Sequence, residues 1–194
     1  MKGTLSFLTI FILATTATVT AQDSRKSLIR EIKEAGQTGA GHQILARLEG
    51  KWKVRGLIRI TAGSNPEMIS GNAKLNWIHG RRFLVQEFDC PQLDFPYSGT
   101  GILGYDNLLH EFTGVWCDNS NTGLATYKGS FDQKQNKLIF KVEQTDLQTA
   151  TRRTATATYT FNSDSTIDYK VTTTDSEGVQ FSPIEFQYRK QKGL

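Results

Sequence analysis

Turn residues cut the chain between Lys51 and Arg189 into ten segments at roughly ten-residue spacing, and this rhythm constrains the fold more than any other feature. The segments cover residues 51–61, 68–78, 82–89, 97–105, 111–118, 123–130, 137–145, 151–161, 166–174 and 179–189. Between them lie Gly63-Ser64-Asn65-Pro66, His79-Gly80, Asp106-Asn107, the run from Asp132 to Asn136, Asn162-Ser163-Asp164 and Asp175-Ser176-Glu177-Gly178. Such residues supply left-handed backbone or bond their own main chain, which is turn chemistry. Short links join antiparallel neighbours, so order in space should follow order in sequence. A sheet of that many strands curls and closes to remove its edges. The expected fold class is all-β: a closed up-and-down antiparallel barrel of about ten strands.

Side-chain parity tells inside from outside in some segments. In Gly50-Lys51-Trp52-Lys53-Val54-Arg55-Gly56-Leu57-Ile58-Arg59-Ile60, Trp52, Val54, Ile58 and Ile60 share one face, and Lys51, Lys53, Arg55 and Arg59 the other. That is a half-buried strand with a solvated basic outer face. Ala155, Ala157, Tyr159 and Phe161 alternate with threonines and face inward. In Phe83-Leu84-Val85-Gln86-Glu87-Phe88 both faces are equally apolar, and parity assigns no lumen side.

Upstream, Leu28 and Ile32 stand four apart and predict a short amphipathic helix over 27–35, followed by a second over 42–48 that leads into Trp52. These short N-terminal helices are expected to plug the end of the barrel at which the first strand begins. Residues 1–21 carry one lysine, an apolar run over 5–14, and small and polar residues ending at Ala21. This has the form of a secretory signal. The run is about ten residues, against roughly 20 needed to span a bilayer, so no stable membrane anchor is expected. The expected organisation is a signal peptide over 1–21, a helical segment over 22–50 and the barrel over 51–194, with a secreted or periplasmic mature chain from about Gln22. The 23 basic and 19 acidic side chains are mixed along the sequence, not gathered into the stripe of a nucleic-acid binder.

Gly50-x-Trp52 after a short helix, with Arg189 near the end of the last strand, resembles the lipocalin and wider calycin signature. The resemblance implies a tryptophan packed at the closed end with the arginine lying across it. Leu45-Ala46-Arg47-Leu48-Glu49-Gly50-Lys51-Trp52, Trp77-Ile78-His79-Gly80-Arg81-Arg82-Phe83-Leu84, Gly104-Tyr105-Asp106, Trp116-x-Asp118 and Thr122-Gly123 together resemble a bacterial family of domains of unknown function, DUF1579, grouped with the calycins. That likeness implies the barrel and transfers no catalytic residue.

No motif for chemistry survives a check of its context. Gly99-x-Gly101-x-x-Gly104 matches the dinucleotide fingerprint as a string but lies inside a strand, where it reads as barrel bends or close-approach positions. His42, His79 and His110 lack ligand spacing and read as surface histidines. Some calycin-like barrels hold haem through a late histidine, and none follows His110 here. No cofactor or metal is expected.

If the helices close one end, the links at the other form the mouth. The link 90–96 contains Leu93 and Phe95 and reads as an apolar flap or, equally, as a segment tucked into the core. The candidate ligand-binding residues are therefore Phe88, Leu93, Phe95, Trp116 and Asp118, and the expected partner is a small, largely apolar molecule in the lumen. An enzyme using Glu87, Asp118 or Glu143 as inward acid or base is the alternative, and a barrel filled by its own side chains, serving as an envelope interaction domain, is the third. Cys90 and Cys117 end the third and fifth strands. With a strand between them they are about 9.6 Å apart, beyond the roughly 7 Å limit of a disulfide, so two free thiols are predicted.

Overall fold

The computed structural model describes residues 12–91, 96–146 and 149–191, with side chains from Gln22 onward. Two units are present, residues 1–37 and residues 38–194. Among the described residues the first contains the helix α1 (Ile12–Ala35), which is longer than the 27–35 segment the amphipathic pattern marks. No helix among the described residues is long and apolar enough to cross a membrane.

The second unit begins with α2 (Ala40–Ala46) and continues as β1 (Gly50–Ile58), β2 (Glu67–Ile78), β3 (Phe83–Cys90), β4 (Tyr97–Asp106), β5 (Glu111–Asp118), β6 (Ala125–Asp132), β7 (Lys137–Thr145), β8 (Arg152–Ser163), β9 (Thr166–Thr174) and β10 (Gln180–Lys190). Every strand pairs antiparallel with its sequence neighbours, and β1 pairs with β10, so the sheet is a closed up-and-down barrel. Three of the connecting turns use one device. The carboxylates of Asp106, Asp132 and Asp175 each accept two backbone N–H bonds from residues two to four positions on. The single interruption in the β9–β10 ladder lies between Phe181 and Ile184 and contains Pro183, which has no N–H to give. Pro183 still accepts from the Arg59 N–H at 2.8 Å, which carries the β1–β10 seam one residue past the end of β1.

Closed-sheet parity resolves the strand that the sequence left open. Leu84, Gln86, Phe88 and Cys90 are buried and face inward, whereas Glu87 and Asp89 face out. The end at which β1 begins is filled. Leu45 and Leu48, from α2 and the link after it, are buried with Trp52, Val54, Leu75, Leu84, Leu138 and Ile167 in one apolar cluster. Gly50 sits at φ 125°, a left-handed bend that a side chain would strain, and this bend turns the chain from the helix link into β1. Trp52 is 1% exposed, and its indole N–H donates to the Leu48 carbonyl at 2.8 Å. Arg47 clasps the same end, with its guanidinium 4.0 Å from the Phe161 ring centroid and bonded to Asn136 Oδ1 at 2.7 Å.

Two sequence expectations are corrected at this end. Arg189 does not lie across Trp52. It faces outward opposite Lys53, with Nε bonded to Gln187, and the neighbouring Lys190 places its ammonium 5.2 Å from the indole centroid. The register explains the exchange, because Lys190 is the residue paired with Trp52. His42 is buried rather than superficial. Its Nδ1 accepts the Gly39 N–H at 3.1 Å, and its ring meets Tyr105 edge to face. Burial, aided by the charge of Arg82, lowers its pKa and keeps the imidazole neutral to accept that bond. Cys90 and Cys117 are both free thiols, the first buried on the inner face and the second exposed on the outer one.

Trp52→Ala should cost about 3 to 5 kcal/mol, the range for deleting a buried aromatic side chain, whereas Arg189→Ala should change stability by less than about 0.5 kcal/mol. Urea denaturation midpoints measure both. Equal shifts for the two variants would contradict the placement of these side chains.

Candidate functional site

Among the described residues, the other end of the barrel is not filled. A cavity of about 510 Å³ occupies its interior, reaching from Tyr188 up to Ile60, Ser120 and Gln144 at the rim opposite α2. Its inward positions carry small residues where the closed end carries large ones: Gly101 on β4, Cys90 on β3 and Ala155 on β8 all border the space. The wall is mostly apolar and aromatic, with Phe88 and Phe186 stacked at a centroid distance of 5.9 Å.

Polar groups sit at two levels. Nearer the rim, Asp118 faces inward and its carboxylate is bonded on both oxygens. Oδ2 accepts from the Tyr97 hydroxyl at 2.9 Å and the Trp116 indole N–H at 3.0 Å, and Oδ1 accepts from the Ser120 N–H and hydroxyl. Burial alone would raise the pKa of this group, but the donors outweigh it and hold the carboxyl below its ordinary range, so it is ionised. Burial first, and the adjacent Asp118 charge second, raise Tyr97 and keep its hydroxyl protonated. The glycines of the false dinucleotide string build this arrangement. A Cβ on Gly99 or Gly101 would collide with the Trp116 ring, so these two positions form the seat on which the indole lies.

Deeper in, Gln86 is buried, donates to the Tyr188 hydroxyl at 3.3 Å and accepts from the Tyr159 hydroxyl at 3.4 Å. The rings of Tyr159 and Tyr169 pack at a centroid distance of 4.5 Å. Burial raises the pKa of Tyr127, Tyr159, Tyr169 and Tyr188, so all four hydroxyls are neutral.

Of the residues the sequence nominates, Phe88, Trp116 and Asp118 come together on the cavity wall. Leu93 and Phe95 lie outside the described residues. Trp52 belongs to the closed end, and Arg189 to the outer wall. Glu87 and Glu143 are not lumen carboxylates. Each occupies an outward position, with Glu87 3.9 Å from Lys74 and Glu143 2.8 Å from Lys141. Sequence reasoning missed the tyrosines and Gln86. The alternation Ile167, Tyr169, Val171 marks an inward face and carries the signal for Tyr169, as the Ala155–Phe161 face does for Tyr159. Gln86 sits on the strand whose two faces look alike. Among the described residues no three His, Cys, Asp or Glu side chains converge as a metal site needs.

The model of the family described as "Protein of unknown function (DUF1579)" matches residues 37–190. Among solved structures, the chain is similar to the crystal structure of Rv2717c from M. tuberculosis, with a TM-score of 0.60 and 15% identity, over 80% of this chain and 100% of that one. At that identity the likeness shows the fold alone. No curated protein matches the sequence.

The ionised Asp118 has a consequence for acid stability. Its folded pKa lies below the unfolded one, so its contribution is present above the unfolded value, about 4, and is lost as the pH falls through the folded value. Asp118→Asn should therefore make the loss of stability below about pH 4 shallower than in the parent chain. Parallel curves of urea midpoint against pH for the two proteins would show that Asp118 contributes nothing.

Proposed function

The chain belongs to the DUF1579 family, to which no activity is attached, and we propose from the lumen itself that it is an exported binding protein that holds a small, largely apolar molecule inside the barrel. The observation that carries this reading is the cavity of about 510 Å³, which among the described residues is open at one end and plugged at the other. Its volume lies within the roughly 300 to 1,000 Å³ of small-molecule sites, and its apolar wall with a few grouped polar atoms is the usual composition of such sites. Export rests on the form of residues 1–21, and the secreted or periplasmic location follows from it.

The enzyme reading is weaker on chemical grounds. General acid–base work needs a carboxyl group that can exchange a proton near the working pH. Asp118 is the one of the three candidate carboxylates on the cavity wall, and four donors hold it as a saturated anion. Such a group orients and polarises its neighbours but is a poor base. The cavity volume supports the binding reading over a solid barrel.

Ala155 borders the cavity and is 6% exposed, so a larger side chain there grows into the space a ligand would use. Ala155→Trp should weaken binding of N-phenyl-1-naphthylamine, a neutral apolar fluorophore, by about tenfold or more, as occlusion of a small-molecule pocket does. Fluorescence titration of both proteins, with circular dichroism to confirm an intact sheet, makes the comparison. Equal affinities would place the fluorophore outside the lumen and count against the proposal.

A further inference from the structure

We infer that the lumen selects an amphiphile with a cationic head, a protonated amine on an apolar body, over the carboxylate of a fatty acid; this rests on the lumen-binding reading above.

Charge sets this preference. Among the described residues bordering the cavity there is no lysine, arginine or histidine, and the two ionisable groups other than tyrosine and cysteine are Glu67 and Asp118, both acids. The segments 92–95 and 147–148 also contain no basic residue. Three cations on the open half of the barrel act on other acids. Arg59 is 3.4 Å from Glu185, Arg153 is 2.7 Å from Asp146, and Arg152 acts on Glu143 at the outer wall. An anionic head drawn into this space would thus be desolvated beside a fixed negative charge with no counter-ion, an arrangement whose cost rises as water is excluded.

The hydrogen bonds near the rim point the same way. The Tyr97 hydroxyl already donates its one hydrogen bond to Asp118, and the Trp116 N–H is shared between Asp118 and the Tyr97 oxygen. What this group presents to a ligand is electron density: a hydroxyl oxygen polarised by the carboxylate it donates to, and ring faces. Phe88 and Tyr97 meet at a centroid distance of 6.0 Å on the same stretch of wall. Aromatic faces grouped around a partly buried carboxylate attract an ammonium and repel a carboxylate.

The test uses three ligands with one tail. Dodecylammonium, dodecanol and dodecanoate are titrated into the full chain at neutral pH, below their aggregation concentrations, by isothermal calorimetry. Dodecylammonium should bind about tenfold or more tighter than dodecanoate, with dodecanol between them. In Asp118→Asn the ratio of amine to alcohol affinity should collapse toward one. Dodecanoate binding as tightly as the amine would overturn the inference while leaving the lumen reading in place, because the tail would still have bound. An amine preference undiminished in Asp118→Asn would overturn it too, by locating the selectivity elsewhere. The parent-chain ranking decides the matter even if the variant fails to fold. If none of the three binds, the lumen reading fails and takes this inference with it.

Discussion

Closure of the sheet is the constraint on which everything else depends. Once β1 pairs with β10, each strand has one face turned irrevocably inward, and the volume of the inward side chains decides what the interior becomes. Those volumes are graded along the axis. At the end where β1 begins the inward set includes Trp52, Leu75, Leu84, Leu138 and Ile167, joined by Leu45 and Leu48 from outside the sheet. Toward the other end it includes Gly71, Gly99, Gly101, Ala125 and Ala155. Aromatic rings fill part of the space the small residues leave: Phe88 lies over Gly71, and Trp116 over Gly99 and Gly101. The remainder is the cavity. A plugged base and a hollow upper half among the described residues are thus two results of one gradient in side-chain size.

The same gradient separates the energetics of the two halves. The base is a close-packed apolar cluster of the kind that supplies most of the stability of a small domain. The upper half carries the polar groups, and their burial is tolerated because partners are built in: Asp118 by four donors, Gln86 by two tyrosines. A carboxylate fixed in this way is costly to protonate and costly to leave facing another anion.

Much of the architecture was legible because it rests on local rules. Turn residues at regular spacing marked the strands, and the carboxylate-capped turns at Asp106, Asp132 and Asp175 account for three of the links. The alternation in β8 told its inner face, and the strand separation of Cys90 and Cys117 predicted free thiols. What escaped depends on register, which short-range patterns do not carry. A shift of one residue at the end of β10 gives the cation over Trp52 to Lys190 instead of Arg189. Glu87 sat on a strand with two apolar faces, and only pairing with β2 and β4 turns it outward toward Lys74. His42 looked superficial because its burial comes from a ring, Tyr105, more than sixty residues away. The parity of β8 placed Tyr159 inward, but that it joins four other tyrosines in one wall could not be read, since the five come from five different strands.

Native mass spectrometry of the protein purified from its own host tests the central claim, that the open half of the barrel is a binding chamber, more directly than any variant does. The account predicts a species heavier than the polypeptide by the mass of a single small molecule, which is lost on extraction with organic solvent. The bare polypeptide mass in every gentle preparation, together with a solution structure in which side chains close the space above Tyr188, would contradict it.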